Sequence, residues 1–246
     1  MHRFAKLTLT ELKLFLRDPT AVFFAVIFPP ALLAVLGAVP GFREPSEDLG
    51  GQRVIDLYVP ITIAFVLAML AISVVPTYLA TYREKGILRR LSTTPVRPRS
   101  LLLAQLAMGM GMALVAVALV LGVGIVVFDT AVPQQLLGYL VAFLLAAAAS
   151  FAVGLLIAAV APSGKAASGI GTVLFFPMMF LAGLYFPREV MPAVLRRIGD
   201  FTPLGAGVQA LQDATTGAWP QPLHLAVLAA LAIGASLFAA KLFRWE

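Results

Sequence analysis

The sequence predicts an all-α membrane protein built on six spanning helices. Three observations lead there. Six long apolar stretches fill most of the 246 residues, and almost no charge interrupts them. Hydrophobic residues make up 61% and charged residues 12%, where a soluble domain is about 45–50% apolar and about 25% charged. Mean hydropathy is +0.96, which excludes a soluble fold. A stretch of about 20 apolar residues matches a hydrocarbon core roughly 30 Å thick. In lipid an open chain satisfies its own backbone groups only as a helix.

The spans read as 20–39, 57–80, 101–128, 135–160, 167–186 and 222–243. The third and fourth exceed the length a bilayer needs, so they tilt or extend beyond it. The first is longer than the apolar core of a signal peptide and is read as a retained span. A cytoplasmic N-terminus puts 13 of the 18 Lys and Arg residues on the inner side and leaves 5 outside. That is the positive-inside direction, and six spans return the C-terminus to the same side. The expected location is the plasma membrane, with both termini cytoplasmic. The net charge of +6 then marks inner loops, and no nucleic-acid partner is expected.

Residues 1–18 form more than a tail. Arg3, Lys6, Thr10, Lys13 and Arg17 recur at spacings of three and four, one stripe of a helix. Phe4, Leu7, Leu12, Phe15 and Leu16 fill much of the remainder. Such a helix lies in the inner interface with its cations near anionic lipid headgroups. Asp18-Pro19 reads as an N-cap followed by proline at the first position of the next helix. The stripe serves as a topology anchor or as an elbow that also touches a cytoplasmic partner.

Pro29-Pro30, Pro60, Pro76 and Pro177 lie in or near spans, where each removes a backbone donor and bends the helix. Ala146, Ser150, Gly154 and Ala158 recur every fourth residue, a spacing that admits close helix contact within the chain or between chains. Gly109, Gly111, Gly122 and Gly124 leave the same choice open.

Catalytic chemistry finds no foothold. The chain has no Cys, and its two His residues, His2 and His224, stand at opposite ends. There is no HExxH pair and no nucleophile elbow at Ser168. Gly164-Lys165 lacks the hydroxyl residue and the first glycine of a phosphate loop. The spans carry essentially no ionisable group, which argues against an ion-coupled carrier and against a charged-ring pore. No metal site, cofactor or enzyme activity is expected on this chain. Cargo movement would therefore draw its energy from another chain.

A docking place for that chain is the loop 81–100. Ile87, Leu88 and Leu91 form an apolar ridge, with Arg83, Glu84, Lys85, Arg89 and Arg90 around it and Gly86 before it. Pro95 and Pro98 end the element. A short helix of this kind suits a groove on a partner, or it is a basic loop lying on headgroups.

Here the sequence resembles the coupling region of type-2 ABC transporter permeases. Glu84, Lys85-Gly86, Leu88, Leu91 and Thr94-Pro95 follow that family's order, running into Leu101 and Gln105. The run 181–187, with Met191-Pro192 and Thr202-Pro203-Leu204, resembles the outer end of its fifth span. The resemblance covers nearly the whole chain. It implies a permease paired with a separate ABC ATP-binding subunit that binds ATP and Mg, and with a second copy of itself or a homologous permease. Arg3, Lys6, Lys13 and Arg17 would seat on the ATPase together with the loop.

Residues 187–217 hold two short helical patterns, Val190–Ile198 and Leu204–Leu211 in extent, each too short to span. They resemble the family's re-entrant pair at the outer leaflet; the alternative is a loop lying on the surface. Arg196, Arg197, Asp200 and Asp213 are expected to face outward. An apolar cargo route is expected along Phe65, Met69, Phe175, Phe176, Met178, Met179 and Phe180, whose side chains adapt to varied apolar ligands. The cargo class implied is a drug, antibiotic or lipid. The alternatives are a polysaccharide exporter or a membrane immunity or scaffold protein that does not pump.

Overall fold

The computed structural model describes residues 2–49, 51–87, 90 and 98–242. Among them the chain is α-helical and forms no strand. A leading helix, α1 (His2–Leu16), precedes six spanning helices. These are α2 (Pro19–Gly37), α3 (Val54–Glu84), α4 (Pro98–Phe128), α5 (Leu136–Val160), α6 (Gly164–Ala182) and α9 (Pro222–Leu242). Two shorter helices, α7 (Ala193–Asp200) and α8 (Pro203–Thr215), lie between α6 and α9.

α3 is the axis of the bundle. Of its most apolar window 83% is buried, against 22–56% in the other spans. Helix α1 packs along α4, α6 along α3, and α5 against α8 and α9. α8 is buried on most of its length, so the second short helix does not lie on the surface of the bundle.

The prolines act through the turns before them. Pro29-Pro30 follow a π-helical stretch, Phe23–Ile27, and Pro76 follows another, Ala68–Val74. A wide turn accommodates the carbonyl that the missing proline N–H leaves without a helical partner. Pro60 and Pro177 sit inside regular α-helix.

The small-residue stripe of α5 is internal. Ala146, Ser150, Gly154 and Ala158 are all buried. A Cβ on Gly154 would collide with the carbonyl of Ala71, and one on Gly171 of α6 with the carbonyl of Ile72. The π-helical backbone of α3 therefore rests directly on two glycines. Gly109 abuts Phe151, and Gly111 and Gly122 face open space.

Several boundaries differ from the sequence expectation, each for a local reason. α3 runs on to Glu84, so Arg83 and Glu84 belong to its last turn rather than to a separate loop element. α4 begins at Pro98, since proline opens a helix as readily as it ends one. α6 starts at Gly164 because the Ser163 hydroxyl accepts the Ala166 N–H at 3.2 Å. It stops at Gly183, whose φ of 103° forms a left-handed cap. At the same end of the bundle Arg53 ties α3 to α4: it pairs with Asp56 at 2.7 Å and donates to the Asp129 carbonyl at 2.8 Å.

Candidate functional site

Two regions carry the functional expectation, and α3 joins them. The first is the end of the bundle that bears Glu84. Arg83 donates to the carbonyls of Ala159, at 3.2 Å, and Ala161. Glu84 Oε2 accepts the Gly164 N–H at 3.0 Å. A carboxylate on a helix's first N–H groups satisfies orphan donors and complements the helix dipole. The last turn of α3 is thus locked to the α5–α6 connection.

Arg83 and Glu84, expected as docking groups, both turn back onto the chain: Arg83 is half-buried on two carbonyls, and Glu84 is exposed with one oxygen on the Gly164 N–H. The reason is the extra turn of α3, which brings both beside the start of α6. Lys85 is exposed, and Gly86 (φ 66°) ends the helix. Ile87 is half-buried, and the backbone of Arg90 donates to Gly86 at 3.1 Å. Leu88, Arg89 and Leu91 lie outside the described residues, as does Thr94-Pro95.

The leading helix is fastened to the same end. Glu11 is buried, and one of its oxygens accepts from Tyr82 Oη at 2.8 Å and from Gln105 Nε2 at 2.5 Å. Asp18 caps α2 through Ala21 N at 3.1 Å, and its second oxygen accepts from Tyr78 Oη at 3.0 Å. One carboxylate on α1 and one at the α1–α2 junction thereby meet two tyrosines four residues apart, a spacing that puts Tyr78 and Tyr82 on one face of α3. Lys6, Lys13 and Arg17 are exposed, on the side of α1 away from the buried Glu11 and Phe15; the Arg3 side chain lies outside the described set. Of the apolar residues expected to lie in the interface, Phe4 and Leu16 are 42% and 55% exposed, whereas Phe15 is fully buried against the bundle.

Sequence reasoning missed Glu11, Tyr78 and Tyr82 as partners. The signal was there in an acidic residue on the face of a basic helix opposite its cations.

Burial pushes the Glu11 carboxyl above its ordinary value, and the hydrogen bonds from Tyr82 and Gln105 pull it partly back. The sign follows from linkage: the folded chain holds this proton to higher pH than the unfolded chain. The contribution is fully present below the ordinary carboxyl value and is lost as pH rises through the raised one. Melting of the purified chain across that window is expected to show a stability that falls with rising pH. Glu11→Gln should remove that component of the slope, and an unchanged slope would refute it.

The second region is an apolar groove of about 410 Å³ between α2, α3 and α6. Phe65, Met69, Phe175 and Phe176, four of the seven residues expected along a cargo route, line it. So do Phe24, Phe28, Leu32 and Leu36 of α2, with Tyr58, Leu184 and Tyr185, which sequence reasoning did not single out. No charged side chain lines it. Its rings form a chain, Phe24–Phe28–Phe65–Phe175–Phe176, with centroids 5.4–5.8 Å apart. Such offset and edge contacts are favourable for aromatic pairs.

Met178, Met179 and Phe180 are not part of the groove lining. Met179 is fully buried in the core, Met178 packs against the core, and Phe180 stacks near Tyr185 and Phe186. Six consecutive helix positions turn through more than a full circle, so the run 175–180 cannot all face one groove.

Facing residues at the other end of the bundle differ from expectation too. Asp200 does not point freely outward: Arg188, which is buried, takes one of its oxygens. Burial lowers the Arg188 guanidinium below its ordinary value, against the opposing pull of Asp200.

The geometry is that of a membrane bundle with one interlocked polar end and one uncharged groove. A search of the curated proteins finds no match. The sequence model of the ABC-2 type transporter family matches residues 2–215, most of α1 through α8 included. A match over that much of the chain fixes the relationship: this protein belongs to the ABC-2 type transporter family.

Proposed function

We propose that this chain is the membrane-spanning subunit of an ATP-driven exporter of a hydrophobic or amphipathic compound. Membership of the family implies a separate ATP-binding subunit and dimerisation, and permease domains of this kind have no catalysis of their own. The finer reading is ours. The ATP-binding subunit docks on the Glu84 end, which faces the cytoplasm, and a second copy of the chain completes the transporter. Exposed Lys6, Lys13, Arg17 and Lys85, with Gly86 and Ile87, are the docking surface, and ATP and Mg are held by the partner.

One observation carries this reading. A single helix, α3, bears the groove residues Phe65 and Met69 and, past its π-helical stretch, Tyr78, Tyr82, Arg83 and Glu84. Movement at the docking end is therefore handed along one continuous rod to the groove. A groove without charge suits cargo that is apolar where it touches protein. The work comes from nucleotide-dependent states of the partner, since a ligand shifts an equilibrium only by its differential affinity for the two states.

The test uses inside-out vesicles holding this chain with its ATP-binding subunit. Accumulation of a fluorescent apolar compound is expected on addition of ATP and should persist when the proton gradient is collapsed. Phe65→Ala should lower it several-fold by opening the aromatic chain. Transport that follows the proton gradient instead would identify an ion-coupled carrier.

A further inference from the structure

The end of the bundle opposite Glu84 holds a second cavity, of about 490 Å³, which is polar and separate from the apolar groove. It is built around a buried cation. Arg188 is only 5% exposed. Its guanidinium donates to the carbonyls of Leu181, at 2.9 Å, and Arg196, at 3.2 Å, and to the Asp200 carboxylate. Gly199 and Gly205 make room for it: a Cβ at either position would crowd the guanidinium. His224, 4% exposed, places Nε2 3.4 Å from the same Asp200 oxygen.

The cavity's carboxylates are already engaged. Asp200 serves Arg188 and His224, and Glu189 accepts from Gln212 at 3.2 Å. Polar groups on the other side of the ledger are not. Arg188 Nε and His224 Nδ1 are buried without a hydrogen-bond partner. Folded proteins keep few such atoms, and two on one cavity wall point to a ligand group that meets them.

The exposed Arg196 and Arg197 add two guanidinium groups to the same wall, neither in an ion pair among the described residues. Guanidinium donors match phosphate oxygens. Asp200, 3.4 Å from His224 Nε2, favours the tautomer with its proton there, which leaves Nδ1 an acceptor suited to a hydroxyl.

The rim says what the ligand is attached to. Val194, Ile198 and Phe201 are each at least half exposed and stand at i, i+4 and i+7, an apolar strip along α7 that ends on its C-cap residue. A short helix with an apolar face and a cationic flank lies in a membrane interface, its arginines at headgroup level.

We propose that this cavity binds the hydroxyl-bearing phosphodiester headgroup of an anionic bilayer lipid, with the acyl chains along the exposed face of α7. Arg188, Arg196 and Arg197 hold the phosphate, and His224 accepts the headgroup hydroxyl. The proposal is independent of what the chain transports.

The experiment is native mass spectrometry of the purified full chain titrated with lipids of one acyl composition. Phosphatidylglycerol is expected to bind about tenfold tighter than phosphatidylcholine, as charge-assisted hydrogen bonds allow. It should also bind tighter than phosphatidic acid, which has no glycerol hydroxyl on its headgroup. Arg196→Gln combined with Arg197→Gln, both at exposed positions, should erase the first preference. His224→Ala should erase only the second. Inorganic phosphate at millimolar concentration should not displace the lipid. Equal binding of phosphatidylglycerol and phosphatidylcholine would overturn the proposal. So would equal binding of phosphatidic acid, a preference that survives the arginine changes, or displacement by free phosphate.

Discussion

Gly154→Ala is expected to destabilise the protein by about 3 kcal/mol, at the upper end of what overpacking costs. The added methyl meets the backbone carbonyl of Ala71, which cannot rotate away as a side chain would. That carbonyl belongs to the π-helical stretch of α3, so relief requires α3 and α5 to separate. Both helices are central: α3 is the most buried span, and α5 packs on α8 and α9. In a chain of this size such a loss lowers the melting temperature by roughly 6–12 °C. Gly122→Ala is the matched control, since nothing lies within 4 Å of its added methyl. There the helix propensity of alanine should stabilise by about 1 kcal/mol at most. Melts of the two purified variants that coincide would remove the close approach of α3 and α5 from the account.

Glu84→Ala is expected to reduce ATP-driven transport about tenfold, while Glu84→Gln retains most of it. The carboxylate accepts the first N–H of α6, and a hydrogen bond to a charged group is worth roughly 1.5–3 kcal/mol. Glutamine keeps an acceptor oxygen at that place and alanine does not. A salt bridge from Glu84 to the ATP-binding subunit would make the opposite demand, because glutamine loses the charge. The pair of variants therefore separates an internal lock from a docking contact. ATP hydrolysis by the partner should continue in Glu84→Ala, since the lock and not the nucleotide site is broken. Equal loss in both variants would return Glu84 to the docking surface.

The parts of the fold that depend on composition were legible in the sequence. Six apolar stretches become six helices because lipid leaves a spanning backbone no alternative. The parts that depend on tertiary contact were not. The stripe from Ala146 to Ala158 announced a close contact but not its partner, which is the π-helical backbone of α3. Asp18 was legible as an N-cap, but its second contact, with Tyr78, and the burial of Glu11 against Tyr82 depend on where α3 packs.

The groove was half legible. Phe65, Met69, Phe175 and Phe176 were found from residue type. The α2 wall was missed because Phe24 and Phe28 read equally well as lipid-facing residues of a first span. Met179 was misplaced because residue type does not say which side of a helix faces the core.

The central claim is that this chain carries the path and a partner supplies the energy. Uptake of an apolar compound against its gradient, measured in vesicles that contain this chain alone and then with the ATP-binding subunit, tests it directly. No uphill accumulation is expected from the chain alone, and ATP-dependent accumulation is expected once the partner is present. Uphill accumulation by the chain alone would contradict it.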